Sequence, residues 1–281
     1  MSGTLFVVAT PIGNLEDITL RALRVLREVD VIAAEDTRRT AKLLAHYSIS
    51  TSTVSFHEHN TRTRIPQLLA RLEAGASVAL VTDAGTPGIS DPGSALIDAC
   101  WRKATTIDPI PGASAPVTAA VTSGFPLEPL TIFGFVPARS KDRNRWLERA
   151  RAISHTFTFF ETPHRILQTL SEAAPCFGDR PMFIAREMTK VHQQFIRGLG
   201  CEIIGHKTDP RGEFTIVVGP DLTLPANNVP ASDEEMFTEF GHITDRVPGG
   251  RRAAVSALAA KYGRSAREVY AIIERLKNSG V

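Results

Sequence analysis

Short apolar runs alternate with helix-like segments over the first 120 residues of the chain. Residues 5–9, 31–34 and 78–81 are apolar runs of a length typical of buried strands. Between them, leucine and isoleucine recur every three or four residues, as in 20–29 and 63–74, and this spacing predicts amphipathic helices. Alternating strands and helices are typical of a mostly parallel sheet. The pattern therefore predicts an α/β domain at the N-terminus.

A second set of apolar runs follows the Ser-Gly-Phe-Pro stretch that begins at Ser123. These runs predict a mixed α/β domain, with strands at 131–136, 156–160, 182–185 and 212–218. A linker with prolines and asparagines, 224–230, precedes two predicted helices near 251–261 and 266–278, which are joined by a tight turn at 262–264. Ser265 and Glu268 form a predicted capping box.

Three parts of the chain are therefore predicted. Two α/β domains occupy residues 1–121 and 122–222, the first with a parallel sheet and the second with a mixed sheet. A small helical extension occupies 223–281, and its pattern is similar to a helix-turn-helix unit.

Polar segments follow four predicted strands of the first domain. Because the carboxyl ends of parallel strands meet at one sheet edge, where ligands of open α/β sheets bind, these segments should converge. The loop at 82–93 is the strongest candidate, since its three glycines allow close backbone approach and its two aspartates accept hydrogen bonds. It is neither a Walker loop nor a Gly-x-Gly-x-x-Gly motif, and a turn-rich connector is the alternative. The four segments are 11–14, 35–38, 83–93 and 111–115.

Charge and cysteine content narrow the functional classes. The net charge is only +2, which gives no general nucleic-acid signal, but residues 241–281 carry eight Lys or Arg against three acidic residues, a local net charge of +5. This favours contact with nucleic acid or the ribosome, and a small packed helical bundle is the alternative.

Three cysteines without a Cys-x-x-Cys motif argue against a disulfide framework or a zinc site. No apolar run approaches the roughly 18 residues that span a membrane, so a cytoplasmic protein is expected.

Several side chains at the predicted edge suit proton transfer or charge recognition. Glu35 and Asp36 are candidate general bases, and the alternative for each is to cap the following helix or to pair with Arg38. Glu187 and Lys190 are second candidates, for which a salt-bridged surface loop is the alternative.

Two histidine-containing turns favour substrate contact over metal binding. His57 and His59 have the spacing of metal ligands, but no third ligand is evident, so no metal is predicted. Thr162 is predicted to cap a helix that begins at Pro163. This places Arg165 in the first helical turn, where it opposes the helix dipole and favours a phosphate partner.

Seven segments, in order, make the chain resemble the bacterial small-subunit ribosomal RNA 2′-O-methyltransferases of the tetrapyrrole methylase superfamily, over about residues 3–220. One departure is visible, because Met188 and His192-Gln193 replace parts of the family's Glu-Leu-Thr-Lys and His-Glu. The matching segments are 8–18, 34–38, 55–60, 83–93, 111–115, 163–165 and 187–190.

The resemblance implies S-adenosyl-methionine as methyl donor, bound between two α/β domains of a homodimer. It implies as acceptor a cytidine ribose in the decoding region of 16S ribosomal RNA, free or in the 30S subunit. The implied donor-binding residues are Pro11, Asp83, Ala84, Gly85, Thr86, Ser114, Ala115, Phe160 and Thr215. The candidate catalytic residues are Glu35, Asp36, Arg38 and Lys190. The candidate RNA-binding residues are Arg39, His57, His59, His164, Arg165 and Arg186, within a wider basic rim that includes Lys42, Arg139, Arg143 and Arg145.

Two rival functions remain open from the sequence. One is a small-molecule methylase of the same superfamily that acts on a tetrapyrrole. The other is a non-enzymatic nucleic-acid regulator with a ligand-sensing domain, which the basic extension would suit. The histidine-containing segment 57–60 and the segment 163–165 favour RNA, and four converging strand ends favour catalysis.

Overall fold

The computed structural model describes residues 3–205, 210–221, 233–246, 250–262 and 264–278. The chain divides into two compact units, Met1–Pro220 and Asp221–Val281. Both sheets belong to the first unit, so the boundary expected between residues 121 and 122 stays a prediction. The expected linker at 224–230 and Gly263 of the expected tight turn lie outside the described residues.

The first sheet has five parallel strands in the order β3-β2-β4-β1-β5. The strands are β1 (Thr4–Val8), β2 (Val31–Ala34), β3 (Thr53–Ser55), β4 (Val78–Val81) and β5 (Thr106–Ile110). The helices are α1 (Leu20–Glu28), α2 (Thr37–His46), α3 (Thr61–Glu73), α4 (Gly93–Arg102) and α5 (Ala115–Ser123), and short 3-10 helices occupy Leu15–Asp17 and Glu58–Asn60.

Helices cover both faces of this sheet, which explains why β2 contains only apolar residues. Successive side chains of a strand point to opposite faces. Ile32 and Ala34 pack in one buried cluster with Leu26 of α1. Val31 and Ala33 pack in another cluster, which includes residues of α3 and α4. A parallel sheet buried on both sides needs such uninterrupted apolar strands.

The second sheet is mixed and has the order β6-β7-β10-β8-β9. Strands β6 and β7 pair in parallel, and the other neighbours pair antiparallel. The strands are β6 (Leu130–Phe135), β7 (Thr156–Glu161), β8 (Pro181–Arg186), β9 (Gln194–Leu199) and β10 (Phe214–Val218). The helices are α6 (Ser140–Arg151), α7 (Ile166–Phe177) and α8 (Gly200–Gly205). Strand β9 and helices α6 and α8 were not predicted, whereas the expected combination of a parallel and a mixed sheet is confirmed.

Helix α5 links the two sheets. Ala119 of this helix lies in one buried cluster with Phe183 and Val217 of the second sheet and with Ile12 from the loop after β1. The carboxyl edge of the first sheet is thereby held against the second sheet. This contact creates the crevice in which the predicted site residues lie.

The second unit is a helical bundle of α9 (Asp233–Arg246), α10 (Gly250–Tyr262) and α11 (Ala266–Asn278). Its core contains Met236, Leu258 and Val269. The predicted capping box is confirmed, because Ser265 N donates to Glu268 Oε2 at 2.8 Å and Glu268 N donates to Ser265 Oγ at 3.2 Å. Helix α9 was not predicted. No helix in the described part of the chain combines the length and apolarity needed to cross a membrane.

Candidate active site

A cavity of about 390 Å³, here called the central cavity, lies between the carboxyl edge of the first sheet and the second sheet. Its size is within the roughly 300–1,000 Å³ of small-molecule sites. Of the predicted donor-binding residues, five line it together, from loops of the first sheet, the start of α5 and strands β7 and β10. They are Asp83, Ala84, Ala115, Phe160 and Thr215.

The remaining predicted donor-binding residues lie beside the central cavity. Pro11 lines a smaller adjoining cavity of about 210 Å³, which also includes Asp83 and Ala84. Thr86 Oγ1 donates to the carbonyl of Ala113 at 3.1 Å and so holds the 82–93 loop against the start of α5. Ser114 is the N-cap of α5, and its buried Oγ has no hydrogen-bond partner among the described residues.

Carboxylates line one side of the central cavity, here called its floor. Glu35 Oε2 accepts hydrogen bonds from Thr82 Oγ1 at 2.7 Å and from Asp83 N at 3.2 Å. Asp83 Oδ1 accepts one from Asp36 N at 2.9 Å. Burial, followed by the neighbouring charge of Glu35, raises the pKa of Asp83 above its ordinary value. Such a floor favours a ligand that carries positive charge.

Asp36 caps α2, which is the structural alternative that the sequence analysis named for this residue. Its Oδ1 accepts from Arg38 N at 2.8 Å, and Arg38 Nη2 pairs with its Oδ2 at 2.8 Å. The side-chain and backbone hydrogen bonds from Arg38 hold the pKa of Asp36 well below its usual range, which makes this carboxylate a weak proton acceptor. Glu35 lines the central cavity, and neither Asp36 nor Arg38 is among the residues that do.

Lys190 is held in an ion-paired loop. Its Nζ lies 2.9 Å from both Glu187 Oε1 and Glu213 Oε2. Burial acts against the charged form, but the hydrogen bonds to Glu187 and Glu213 outweigh it and raise the pKa of Lys190. Glu187 and Thr189 have φ values of +50° and +65°, so the loop that carries Lys190 is strained. Lys190 is therefore a fixed cation rather than a proton acceptor.

The predicted RNA-binding residues are distributed around the crevice. Arg39 lines the central cavity, with Nε 3.5 Å from Asp83 Oδ2. His57 and His59 line a neighbouring cavity of about 500 Å³, here called the side cavity. His164 and Arg186 line two further cavities, of about 480 Å³ and about 630 Å³ respectively. Whether these residues bind RNA stays a prediction.

Two basic residues have structural partners that the sequence did not reveal. The predicted helix start was wrong, because helix α7 begins at Ile166 and not at Pro163, which makes Arg165 the N-cap residue and not a member of the first turn. Arg165 Nη2 instead pairs at 2.7 Å with Glu161, a side chain with no exposed surface. Arg143 is buried and pairs with Glu172 at 2.5 Å, so it does not belong to an exposed rim.

Two residues that sequence reasoning missed, Phe135 and Glu213, complete the central cavity, and the Phe135 and Phe160 rings lie 5.3 Å apart. Asp91, one of the two aspartates noted in the 82–93 loop, lines the cavity as well. Phe135 and Glu213 follow no motif and reach the cavity only through the packing of the second sheet. Over the described ranges, no cluster of His, Cys, Asp or Glu could hold a metal ion.

Comparisons with known proteins agree with this architecture. Residues 4–203 match the family model of tetrapyrrole (corrin/porphyrin) methylases. The Ribosomal RNA small subunit methyltransferase I of Thermotoga maritima is 50% identical over 218 residues, which cover 77% of this chain and 98% of that protein. Its namesake from Halalkalibacterium halodurans is 41% identical over 278 residues, with 96% and 94% covered.

A solved structure shares the fold. It is the uroporphyrin-III C-methyltransferase of Thermus thermophilus in complex with S-adenosyl homocysteine, with a TM-score of 0.55 and 16% identity. The match covers 79% of this chain and 99% of that one.

Proposed function

The chain belongs to the tetrapyrrole methylase family, and from this premise we propose that it methylates ribosomal RNA. The proposed reaction transfers a methyl group from S-adenosyl-methionine to the 2′-oxygen of a cytidine ribose in the decoding region of 16S ribosomal RNA. The resemblance seen in the sequence is confirmed, and S-adenosyl-methionine is the donor of this family. The observation that carries the proposal is the central cavity, where five predicted donor-binding residues meet the carboxylate of Glu35.

The residues around the central cavity fit the donor. Apolar side chains such as Ile12, Phe160 and Met188 suit an adenine ring and the methylene groups next to the sulfur, and the acidic Asp83 suits a sulfonium charge. The buried Ser114 Oγ, which has no partner within the described ranges, offers a hydrogen bond to a polar ligand group. We infer that these residues and the predicted donor-binding set hold S-adenosyl-methionine.

The bound donor supplies an electrophilic methyl carbon on a sulfonium. The protein has to align an acceptor hydroxyl with that carbon, and such positioning can contribute roughly 7–11 kcal/mol. It also has to accept the hydroxyl proton, and a general base contributes about 10²–10⁴-fold. Asp36 and Lys190 are poorly suited to accept it, because Asp36 has a depressed pKa and Lys190 is already protonated. The guanidinium of Arg38 stays protonated. Glu35 Oε2 already accepts hydrogen bonds from Thr82 Oγ1 and Asp83 N.

The side cavity supports an RNA acceptor. His57 and His59 line it, with ring centroids 6.1 Å apart, and it shares Glu35 with the central cavity. Imidazole rings can stack on unpaired bases and donate hydrogen bonds to them. Two relatives named for small-subunit ribosomal RNA, at 50% and 41% identity, favour this acceptor over a tetrapyrrole.

A transfer assay tests the proposal. Purified protein is incubated with methyl-labelled donor and, separately, with 30S subunits from a strain that lacks this enzyme, with free 16S RNA, or with a tetrapyrrole. We expect label in the ribosomal RNA of at least one RNA sample. Label only in the tetrapyrrole, or donor binding without any transfer, would contradict the proposal.

The proposal includes a homodimer, as the resemblance implies, and a cytoplasmic location, as the cysteine content and the apolar runs of the sequence led us to expect. Light scattering of the purified chain should then give twice the chain mass of 30.5 kDa. A measured mass equal to that of one chain, at the concentration used in the transfer assay, would exclude the dimer but would not contradict the proposed reaction.

A further inference from the structure

Asp91 lies in the wall between the two cavities. Together with Glu35 and Ser90 it lines both the central cavity and the side cavity. A donor in the central cavity and a nucleotide in the side cavity would therefore approach each other across this wall. A group that takes part in transfer between them should lie here.

The carboxyl group of Asp91 is fixed by one oxygen and unsatisfied at the other. Oδ1 accepts hydrogen bonds from Gly88 N at 2.8 Å and from Gly93 N at 2.7 Å. Oδ2 is buried and has no hydrogen-bond partner within the part of the chain that the structure describes. A buried polar oxygen without a partner is costly, and such a cost is commonly retained where function requires it.

The surroundings make this carboxyl more basic than an ordinary aspartate. Burial raises the pKa of Asp91 and the charge of Glu35 adds to the rise. The bonds from Gly88 and Gly93 oppose it, as does the nearby hydroxyl of Thr82, which donates to Glu35. A raised pKa brings a carboxylate closer to the basicity that general-base catalysis uses at neutral pH.

Other charged groups face the same wall. On the side cavity they are Glu35, His57, Glu58 and His59. On the central cavity they are Arg39, Asp83, Glu161 and Glu213.

The backbone around Asp91 is held in a strained conformation. Ser90 has a φ of +65°, which is unfavourable for a residue with a side chain. The bulged strand β6 packs against it, since a Cβ added to Gly134 would lie 2.9 Å from Ser90 Oγ. Strand β6 therefore comes close to the residue next to Asp91 at a position where only glycine fits.

We propose that Asp91 accepts the proton of the acceptor hydroxyl and that the side cavity receives the acceptor nucleotide. The inference rests on the proposed function. Asp91 Oδ2 takes the hydroxyl proton as the ribose oxygen bonds to the methyl carbon and the carbon–sulfur bond breaks. The negative charge of Asp91 and the positive charge of the sulfonium disappear together, so atoms and charge balance.

The test compares Asp91→Asn, Glu35→Gln and the wild-type chain in single-turnover transfer from mildly acidic to alkaline pH. Asparagine retains an oxygen that can accept from Gly88 and Gly93 but is not a base. We expect Asp91→Asn to be about 10²–10⁴-fold slower and to lose the fall in rate at acidic pH. Glu35→Gln should retain that fall. Asp98→Asn is the matched control, because Asp98 is an exposed carboxylate that pairs with Arg102 on the outside of α4.

Two readouts besides activity accompany the rates. Calorimetry should show that Asp91→Asn binds S-adenosyl homocysteine as the wild type does. Infrared difference spectra of the free proteins should show a carboxylic-acid band that titrates above the ordinary aspartate pKa in the wild type and is missing in Asp91→Asn.

Several results would overturn the inference. One is retention of the wild-type rate and its acidic limb by Asp91→Asn, and another is loss of that limb in Glu35→Gln. A wild-type rate that does not fall at acidic pH would overturn it without any variant, so the test survives misfolding of Asp91→Asn. Failure of the wild type to methylate RNA at all refutes the proposed function, and is distinguishable from these outcomes.

Discussion

The main chains of Thr10 and Gly85 exchange two hydrogen bonds. Thr10 N donates to Gly85 O at 2.9 Å, and Gly85 N donates to Thr10 O at 3.0 Å. They join the loop after β1 to the 82–93 loop, and Thr10 Oγ1 adds a 3.0 Å bond to the carbonyl of Thr82. Gly85 has a φ of +89°, a conformation that strains any side chain. One wall of the proposed donor site therefore depends on a glycine.

Gly85→Ala should destabilise the chain and weaken donor binding. Strain in the left-handed region costs about 1–2 kcal/mol. Relief of that strain would shift the backbone of residue 85 and weaken its hydrogen bonds to Thr10. Chemical denaturation measures the stability, and calorimetry with S-adenosyl homocysteine measures the affinity.

Gly124→Ala is the matched control for this substitution. Gly124 ends α5 with a φ of +68°, and an added Cβ would meet no atom of the described residues within 4 Å. It should lose similar stability, because the backbone strain is similar, without any loss of donor affinity. Equal losses of affinity in both variants would show that Gly85 acts only through global stability.

Ser114→Ala should have opposite effects on the free and the donor-bound protein. Removal of a buried hydroxyl without a partner should leave the free protein as stable as before, or more so. If Ser114 Oγ bonds to the donor, the affinity should fall by the roughly 0.5–1.5 kcal/mol of one net hydrogen bond. Thermal unfolding with and without S-adenosyl homocysteine separates the two effects.

Thr158→Val controls for the removal of an unpartnered hydroxyl. Thr158 Oγ1 is likewise buried without a partner in the described structure, and Thr158 lies in the middle of β7. Its substitution should leave both stability and donor affinity in place. Unchanged affinity in Ser114→Ala would remove Ser114 from the donor site.

Arg165→Ala should destabilise the chain rather than merely weaken RNA binding. Loss of the guanidinium leaves the fully buried Glu161 without its ionic partner. Breaking a buried pair costs about 3–5 kcal/mol, and the lower end is expected because Arg165 is partly exposed. The exposed neighbour His164 provides the control, since His164→Ala should change the free energy of unfolding by no more than about 0.5 kcal/mol. Normal stability with reduced RNA affinity in Arg165→Ala would restore the RNA-binding role.

Local patterns predicted the first sheet and its active edge well. Apolar runs such as 31–34 and 78–81 defined the strands, so the positions of Glu35 and Asp83 at the carboxyl edge followed directly. The contribution of the second sheet depended on tertiary packing. Phe135 and Glu213 reach the cavity only because α5 holds the sheets together.

The start of α7 illustrates why a correct local rule can fail. Thr162 has the chemistry of an N-cap, but its Oγ1 accepts from Arg165 Nε at 3.1 Å. The backbone N of Thr162 donates to the side chain of Glu161 at 2.7 Å. These bonds form a separate turn, and the helix begins afterwards at Ile166. The buried carboxylate of Glu161 binds Thr162 N and Arg165, and these contacts outweigh the preference of Thr162 for an N-cap. Helix propensities do not include such a tertiary contact.

Mass mapping of methylated nucleotides in 16S ribosomal RNA tests the proposed reaction most directly. RNA is compared from a strain that lacks this chain, from the same strain supplied with it, and from the strain supplied with Asp91→Asn. The wild-type chain should add one methyl group to a cytidine of the decoding region, on the ribose, and protect the following phosphodiester bond from alkali. A methyl group on the base, or unmodified RNA in the presence of active wild-type protein, would contradict the proposed function.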